Sequence, residues 1–206
     1  MSRRIFAICM FCIITGFTLS SWLNAAEYTV PNGDFEQTLT LKENDSLYKR
    51  ASDLNFKTES PIVLPEGWTL NLTGSAKDGE YRLVSDKDKA QSGNNFIYLR
   101  GHLMTTRNID TNAGDEMDIN FYVNNPEKSD ITLFLYCYTK DENGKSSNIG
   151  SLKFSTTTEP EWTKRTGKIK IPDEINGKKL KTVRVAFTSR KGTYLDNIEI
   201  KMGKPE

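Results

Sequence analysis

Apolar and polar residues alternate with a period of two over short stretches of most of the chain, as they do in half-buried β-strands. Predicted strands occupy residues 28–35, 67–72, 81–84, 95–103, 104–109, 116–124, 131–138, 151–155, 166–171, 181–189 and 192–200. Turn sequences rich in Gly, Asn and Asp separate nearly all of them. No long segment has helical periodicity. The pattern therefore predicts an all-β protein of two packed antiparallel sheets, either a jelly roll or an immunoglobulin-like sandwich.

One long polar segment interrupts this pattern. Residues 38–61 carry clusters of charged and amide side chains and no clear strand periodicity. A segment of that length is either a flexible excursion or a functional loop. Short turns within it are the only helices that the sequence predicts.

The last predicted strand, residues 192–200, carries a carboxylate that needs an explanation. Simple alternation places Asp196 on the same face as Tyr194 and Ile198, which is otherwise apolar. An unpaired buried carboxylate is costly, so it requires a hydrogen-bonding or cationic partner, or a bound cation. If the first and last strands are neighbours, Glu36 and Asp196 supply oxygens to one hard cation.

The start of the chain has the pattern of a secretory signal peptide, predicted at residues 1–25. Two arginines precede an apolar run, and small residues lead to a cleavage site near Ala25 or Ala26. The run is shorter than the roughly 20 residues of a membrane-spanning helix, which leaves an uncleaved anchor as the alternative. The mature chain, residues 26–206, is then secreted or extracytoplasmic, with no membrane span.

The number of cysteines excludes a disulfide within the mature chain, and the charge balance gives no general attraction to polyanions. Cys137 is the one cysteine of the predicted mature chain, so no intramolecular disulfide can form. The sequence has 28 Lys and Arg against 27 Asp and Glu. Such a balance gives no general attraction to nucleic acid or to an anionic membrane. The mature chain has the length of a single domain with its own core.

Six short motifs follow one another along the mature chain: Val30–Glu36, Pro65–Trp68, Gln91–Leu99, Ala113–Val123, Glu161–Trp162 and Tyr194–Ile198. In this order they resemble the galactose-binding-like jelly-roll carbohydrate-binding modules, in particular those that bind cellulose and xylan. The resemblance implies a two-sheet antiparallel jelly-roll β-sandwich that binds a glycan without catalysis. Such modules often carry a structural calcium near the chain ends and are commonly appended to glycoside hydrolases.

The resemblance also assigns a role to the two carboxylates. In such modules an acidic residue of the first-strand motif and the Asp of the last-strand motif tend to ligate calcium, and these positions correspond to Glu36 and Asp196. Calcium prefers about six to eight oxygen ligands, more than two carboxylates provide. The alternative is a hydrogen-bonded Asp196 and a solvent-facing Glu36.

The predicted ligand-binding residues lie in two rows. A glycan site needs aromatic faces that stack on sugar rings, beside polar groups that bind hydroxyls. Alternation turns one set of side chains away from the core on each of two strands, and these sets are Phe134, Tyr136 and Tyr138 in the first row and Tyr98, Arg100 and His102 in the second. Arg107 and Tyr122 join them if their strands share that sheet. The alternative is that the aromatics are ordinary cross-strand pairs or lie beneath loops.

The remaining large aromatics and the thiol are assigned to packing. Trp68 and Trp162 stand beside turns, where a large ring is more often buried than free. Cys137 lies in an apolar strand without a neighbouring base, which makes it a core residue rather than a nucleophile.

An enzyme is the less favoured interpretation. Tyr98, Arg100 and His102 have the residue types of jelly-roll polysaccharide lyases, but one row on one strand does not surround a substrate. No carboxylate pair can be placed at glycosidase separation. The sequence therefore predicts a secreted, non-catalytic carbohydrate-binding protein, partnered by a glycan-degrading enzyme or a cell-surface protein and not by nucleic acid. A structural or assembly module that binds a protein is the alternative.

Overall fold

The protein, seen in a computed structural model that describes residues 28–73 and 76–204, is built mainly from β-strands. Helix α1 spans Ser46–Asp53. The strands are β1 (Tyr28–Thr29), β2 (Thr38–Thr40), β3 (Val63–Pro65), β4 (Trp68–Leu70), β5 (Glu80–Ser85), β6 (Asn95–Thr105), β7 (Ile109–Asp110), β8 (Glu116–Asn124), β9 (Asp130–Lys140), β10 (Ser146–Thr157), β11 (Thr163–Lys170), β12 (Glu174–Ile175), β13 (Lys178–Lys179) and β14 (Thr182–Gly203). The predicted signal peptide lies outside the described residues.

Strand β14 is 22 residues long and belongs to both layers of a sandwich. Its first half lies between β9 and β6 in the front sheet, ordered β10-β9-β14-β6, with β4 and β5 one after the other along the outer edge of β6. Beyond a register shift, Thr193, Tyr194 and Leu195 still pair with β6, while β8 pairs along the other edge of the second half. The end of β14 lies between β8 and β1 in the back sheet, where β11 pairs with β8. Every one of these pairs is antiparallel, which confirms the predicted two-sheet architecture. The predicted neighbourhood of the first and last strands is confirmed as well.

Aromatic rings join the two sheets in the core. Phe121 of β8 packs edge-to-face against Phe187 of β14, with ring centroids 5.1 Å apart, and against Phe154 of β10 at 6.3 Å. Trp68 is 2% exposed, and its indole N–H donates to the carbonyl of Pro31. The prediction that Trp68 packs in the core is confirmed.

The end of β14 departs from simple alternation. The register shifts between Asp196 and Glu199, and Asn197 has a left-handed φ of 46°. This bulge turns both Leu195 and Ile198 toward the core, although simple alternation places residues three positions apart on opposite faces. The prediction that Asp196 shares an apolar face with Ile198 is therefore wrong. Asp196 lies on the opposite side of the strand, beneath the loop that leads into β6.

The polar segment of residues 38–61 is folded against the body of the protein. Strand β2 pairs with β3, and the Asp45 carboxylate caps α1 by accepting from the Leu47 N–H at 2.8 Å. Ala51 and Phe56 are buried in the common core. A flexible excursion is thus excluded for this segment. Within the described residues, no helix has the length and apolar character needed to cross a membrane.

Candidate functional site

The outward surface of the front sheet, here called the front face, carries the first predicted row. On β9, Leu133, Leu135 and Cys137 are fully buried. Phe134, Tyr136 and Tyr138 alternate with them and are half-buried. The parity predicted from the sequence is confirmed, and these three rings contact solvent.

Two of the three residues of the second row lie on the same front face. On β6, Tyr98, Arg100 and His102 point away from the core. The register sets His102 opposite Thr188 of β14 and Thr188 opposite Thr132 of β9. Directly opposite residues of a sheet share a face. The fold therefore brings His102 and Arg100, which lines a cleft together with Phe134, onto the surface of the first row, more than thirty residues away in the sequence. Tyr98 lies beyond the register shift of β14, opposite Tyr194, whose other neighbour is Asn124 of β8.

The rings of the first row are held by specific contacts. Phe134 and Tyr136 are nearly parallel, with centroids 5.9 Å apart and planes 8° apart. The Tyr136 side chain hydrogen-bonds that of Asn71, and the guanidinium of Arg184 lies 5.9 Å from the centre of the Tyr138 ring. Burial, followed by the neighbouring Tyr138, raises the pKa of the Tyr136 hydroxyl. The phenol therefore stays neutral and serves as a hydrogen-bonding group.

Two clefts flank Phe134. The first, the His102 cleft, has a volume of about 490 Å³ and is lined by His102, Arg100, Phe134, Arg190 and the segment 76–79, among others. The second, the Lys128 cleft, has about 360 Å³. Phe134, Thr188 and Arg190 line both clefts. An aromatic ring between two polar recesses is an arrangement that suits an extended ligand.

His102 is a neutral hydrogen-bonding group in this cleft. Its Nδ1 lies 2.8 Å from the Thr188 hydroxyl. Burial, and then the positive charge of Arg190, lowers the pKa of the imidazole below its ordinary value of 6.5. Near pH 7 the cleft therefore presents an uncharged imidazole beside two guanidinium groups.

A further aromatic cluster, here called the aromatic cleft, lies at the other end of β6. Tyr98 packs on Tyr194 at 5.2 Å, Phe96 packs on Tyr194 at 5.6 Å, and Phe96 packs edge-to-face on Trp162 at 5.7 Å. Arg82 lies 4.7 Å from the centre of the Tyr98 ring. The rings of Phe96, Trp162 and Tyr194 border a recess of about 470 Å³.

Trp162 is therefore more than a packing residue. It packs on Phe96, as a packing role requires, but it stays half-buried, and its indole N–H donates to the carbonyl of Lys89. The sequence pattern does not predict this cluster, because it depends on which strands become neighbours. The shared parity of Phe96 and Tyr98 was the one local signal.

Glu36 and Asp196 hold opposite ends of one turn. Asp196 Oδ2 accepts from the backbone N–H groups of Gln91 and Ser92, at 2.7 and 2.9 Å. Glu36 Oε1 accepts from the N–H groups of Asn94 and Asn95, both at 2.7 Å. We call Glu36 and Asp196 the carboxylate pair.

Gly93, at the centre of the turn, is required by this arrangement. It has a left-handed φ of 59°, and a Cβ there would collide with the Glu36 carboxylate.

The carboxylate pair does not fit a calcium site as it stands. All four oxygens accept hydrogen bonds, since Asp196 Oδ1 also binds the Asn197 N–H and Glu36 Oε2 binds the Asn94 amide. Donors aimed at these oxygens repel a cation. No group of three or more acidic, His or Cys side chains able to hold a metal occurs within residues 28–73 and 76–204. The hydrogen-bonded alternative for Asp196 matches the geometry, and calcium binding stays a prediction.

Two residues considered for the site lie elsewhere. Tyr122 is on β8 and points outward from the back sheet, opposite Lys164 of β11. Arg107 follows β6 in a turn, where its carbonyl accepts from the Thr105 hydroxyl. Neither one belongs to the front face, because their segments do not share that sheet surface.

The sequence matches no model of a protein family and no curated protein. Among solved structures, a cyclase from Fischerella sp. is 12% identical and covers 89% of this chain and 100% of its own, with a TM-score of 0.52. The chain is a jelly-roll β-sandwich. The similarity to the cyclase is one of fold, and a shared fold does not imply a shared activity.

Carbohydrate-binding modules are also among the similar solved structures. The CBM22-1 xylan-binding domain of Xyn10C from Paenibacillus barcinonensis is 14% identical and covers 68% of this chain and 88% of its own, with a TM-score of 0.41. A CBM4 structure is 11% identical and covers 84% and 99%, with a TM-score of 0.42.

Proposed function

We propose that the protein binds a polysaccharide or oligosaccharide on the front face and releases it unaltered. The observation that carries this function is the pair of half-buried, nearly parallel rings of Phe134 and Tyr136. Sugar rings have apolar C–H surfaces that stack on such rings. The clefts on either side of Phe134 offer hydroxyl, imidazole and guanidinium groups for the sugar hydroxyls.

A binding role fits this surface better than catalysis. Tyr98 and His102 are four residues apart on one strand, which separates them by about 13 Å along it. Proton abstraction needs its groups around one reacting atom. Tyr98 packs on Tyr194 and Arg82, away from the cleft in which His102 bonds Thr188, so the two side chains do not face one reacting atom.

The proposed setting is outside the cytoplasm. The signal-peptide pattern of residues 1–25 supports export. A glycan-degrading enzyme or a cell-surface protein is the proposed protein partner, since a module that only binds needs another activity to act on its ligand.

A glycan array with the mature protein tests the proposed function. We expect binding to at least one polysaccharide, and we expect Tyr136→Ala to weaken it. Tyr122→Ala is the matched control, because Tyr122 is an equally half-buried tyrosine on the outer surface of the back sheet. Trp162→Ala reports on the aromatic cleft. Absence of binding to any glycan, or equal loss in the Tyr122 and Tyr136 variants, contradicts the proposal.

A further inference from the structure

The two clefts around Phe134 have a strong excess of positive charge. Five cationic and two acidic side chains line them, and these are Lys77, Arg100, Lys128, Arg190 and Lys191 against Asp78 and Asp130. The sequence as a whole has nearly equal numbers of both signs. The excess is therefore a property of this surface and not of the protein as a whole.

Several of these cations are not neutralised by the protein. Lys128 pairs with Glu159 at 3.0 Å, and near the aromatic cleft Arg82 pairs with Glu80 at 3.1 Å. Across the described residues, Arg100 and Arg190 have no ion pair. Their charges are available to a ligand.

Arg100 has a further unsatisfied group. Its Nε is shielded from solvent and has no hydrogen-bond partner within the described part of the chain. A buried donor without an acceptor is costly, and an anionic acceptor in the adjoining cleft relieves that cost. Asp78, on the rim of the same cleft, accepts instead from the amide of Asn55 at 2.7 Å.

The acidic residues near Arg100 do not replace such a ligand. Glu80 lies opposite Arg100 in the register of β5 and β6, but its carboxylate binds Arg82. Asp130 is exposed at the start of β9.

Positive charge also flanks the first row of Phe134, Tyr136 and Tyr138. Lys153 of β10 lies directly opposite Phe134, on the side away from β14, and is exposed. Arg184 of β14 lies opposite Tyr136 and beside the ring of Tyr138. A ligand stacked along this row therefore has a cation within reach on each side.

We propose that the glycan bound by the front face is anionic, with carboxylate or sulfate groups held by Arg100 and Arg190 while Phe134 stacks on a sugar ring. This inference rests on the proposed function and narrows its ligand class. Guanidinium groups suit it because they bind planar oxyanions through two parallel hydrogen bonds. His102 remains neutral and serves a hydroxyl.

Affinity electrophoresis and calorimetry with matched polymers test the inference. Polygalacturonate and its carboxyl-reduced form share one backbone and differ in charge, chondroitin sulfate supplies sulfate, and xylan is the neutral reference. We expect the protein to bind an acidic polymer on the order of tenfold or more tightly than its neutral counterpart, with affinity falling as salt rises. Uronate and sulfate polymers then identify which acid group is recognised.

Variants that each remove one charge show which side chains bind the acidic groups of the polymer. Arg100→Gln and Arg190→Gln should each weaken binding of the acidic polymer on the order of tenfold and reduce its salt dependence. Lys164→Gln, an exposed cation on the back sheet, should change neither. The Gln variants should keep the parent's melting temperature.

The outcomes separate the inference from the proposed function. Equal binding of neutral and acidic polymers, insensitive to Arg100→Gln and Arg190→Gln, overturns the inference and leaves glycan binding standing. Failure to bind any of the polymers or any glycan on the array overturns both. Arginine-dependent binding of single-stranded DNA without binding of any glycan also overturns both.

Discussion

Adjacent side chains on β9 have opposite environments. Leu135 is fully buried, whereas Tyr136 beside it reaches the front face and hydrogen-bonds Asn71. The same backbone segment thus contributes to the core and to the site. Stability and affinity are therefore separable here by single substitutions.

Tyr136→Ala and Tyr138→Ala should affect binding more than folding. Loss of one stacking ring should weaken glycan affinity by about 1–2 kcal/mol, while the free energy of unfolding changes less. Leu135→Ala is the control and should cost roughly 2–5 kcal/mol of stability, because it leaves a cavity. Calorimetric titration and urea unfolding measure the two quantities. The assignment fails if the tyrosine variants unfold, or if they keep full affinity.

The pKa values of the two members of the carboxylate pair are shifted in opposite directions. For Glu36, burial alone raises the pKa, but the hydrogen bonds from Asn94 and Asn95 together lower it below its ordinary value of 4.5. For Asp196, burial outweighs the hydrogen bonds from Ser92, Asn197 and Gln91 and raises the pKa. A lowered pKa stabilises the fold at higher pH, and a raised pKa stabilises it at lower pH.

Glu36→Gln should remove the part of the stability that depends on an ionised Glu36 and is lost in acid. Because the folded-state pKa of Glu36 is lowered, its stabilisation is fully present above about pH 4.5 and disappears as the pH falls through the folded-state value. The parent should therefore exceed the variant in stability near neutral pH and lose that advantage in acid. Urea unfolding at several pH values measures the difference, with Glu142→Gln as the exposed-loop control. A difference independent of pH contradicts the assignment.

At the scale of elements, the carboxylate pair connects the first turn, the loop before β6 and the bulge of β14. Gly33 helps to bring them together, since its carbonyl accepts from the Ile198 N–H at 2.8 Å. A Cβ on Gly33 would collide with the Ile198 carbonyl. These contacts are all hydrogen bonds within the protein.

Removal of divalent ions tests whether calcium also acts there. If calcium binds there, a chelator should lower the melting temperature and added calcium should restore it, because a ligand that binds only the folded state stabilises it. An unchanged melting temperature, with no metal in the purified protein, would contradict the calcium prediction and leave the hydrogen bonds of Glu36 and Asp196 as the contacts that hold the turn. Differential scanning calorimetry with and without chelator gives the result.

The alternation of apolar and polar residues predicted those strands whose limits depend on neighbouring residues alone. Strand β8 has the bounds predicted for residues 116–124, and β9 extends its prediction by one or two residues at each end. Two predicted strands at 95–103 and 104–109 become β6 followed by β7, and those at 181–189 and 192–200 form the single strand β14. Continuity across a turn-like sequence depends on partner strands, which a short window does not contain.

The candidate site was likewise predicted where it depends on neighbouring residues and missed where it depends on distant strands. The two rows were predicted because parity is local, but the union of Arg100 and His102 with the first row depends on the register of β14 between β9 and β6. Arg190 and the aromatic cleft were missed for that reason. Asp196 was singled out correctly as an anomaly, and its side of the strand was wrong because the Asn197 bulge has no clear sequence signal.

At the scale of the whole molecule, both sheets share β14 and one continuous core. A shared strand means that neither layer can be removed without exposing the other. Unfolding should therefore be a single cooperative transition.

Cys137 provides a probe of that transition. Its side chain is fully buried, and burial raises the pKa of the thiol, with the backbone hydrogen bond from Leu152 opposing this. In the native protein we expect no reaction with a thiol reagent on the time scale of minutes. Labelling at increasing urea should follow the same curve as tryptophan fluorescence. Labelling at lower urea than the fluorescence change would show that the front sheet opens separately.

The position of β14 in the sequence also fixes when the protein can fold. The ribosome adds residues 182–203 after every strand with which they pair, from β1 to β9. Until then both sheets lack their central member, and the contacts still to be made are distant in sequence, which slows folding. A nascent chain therefore keeps both sheets open until residues 182–203 have left the ribosome.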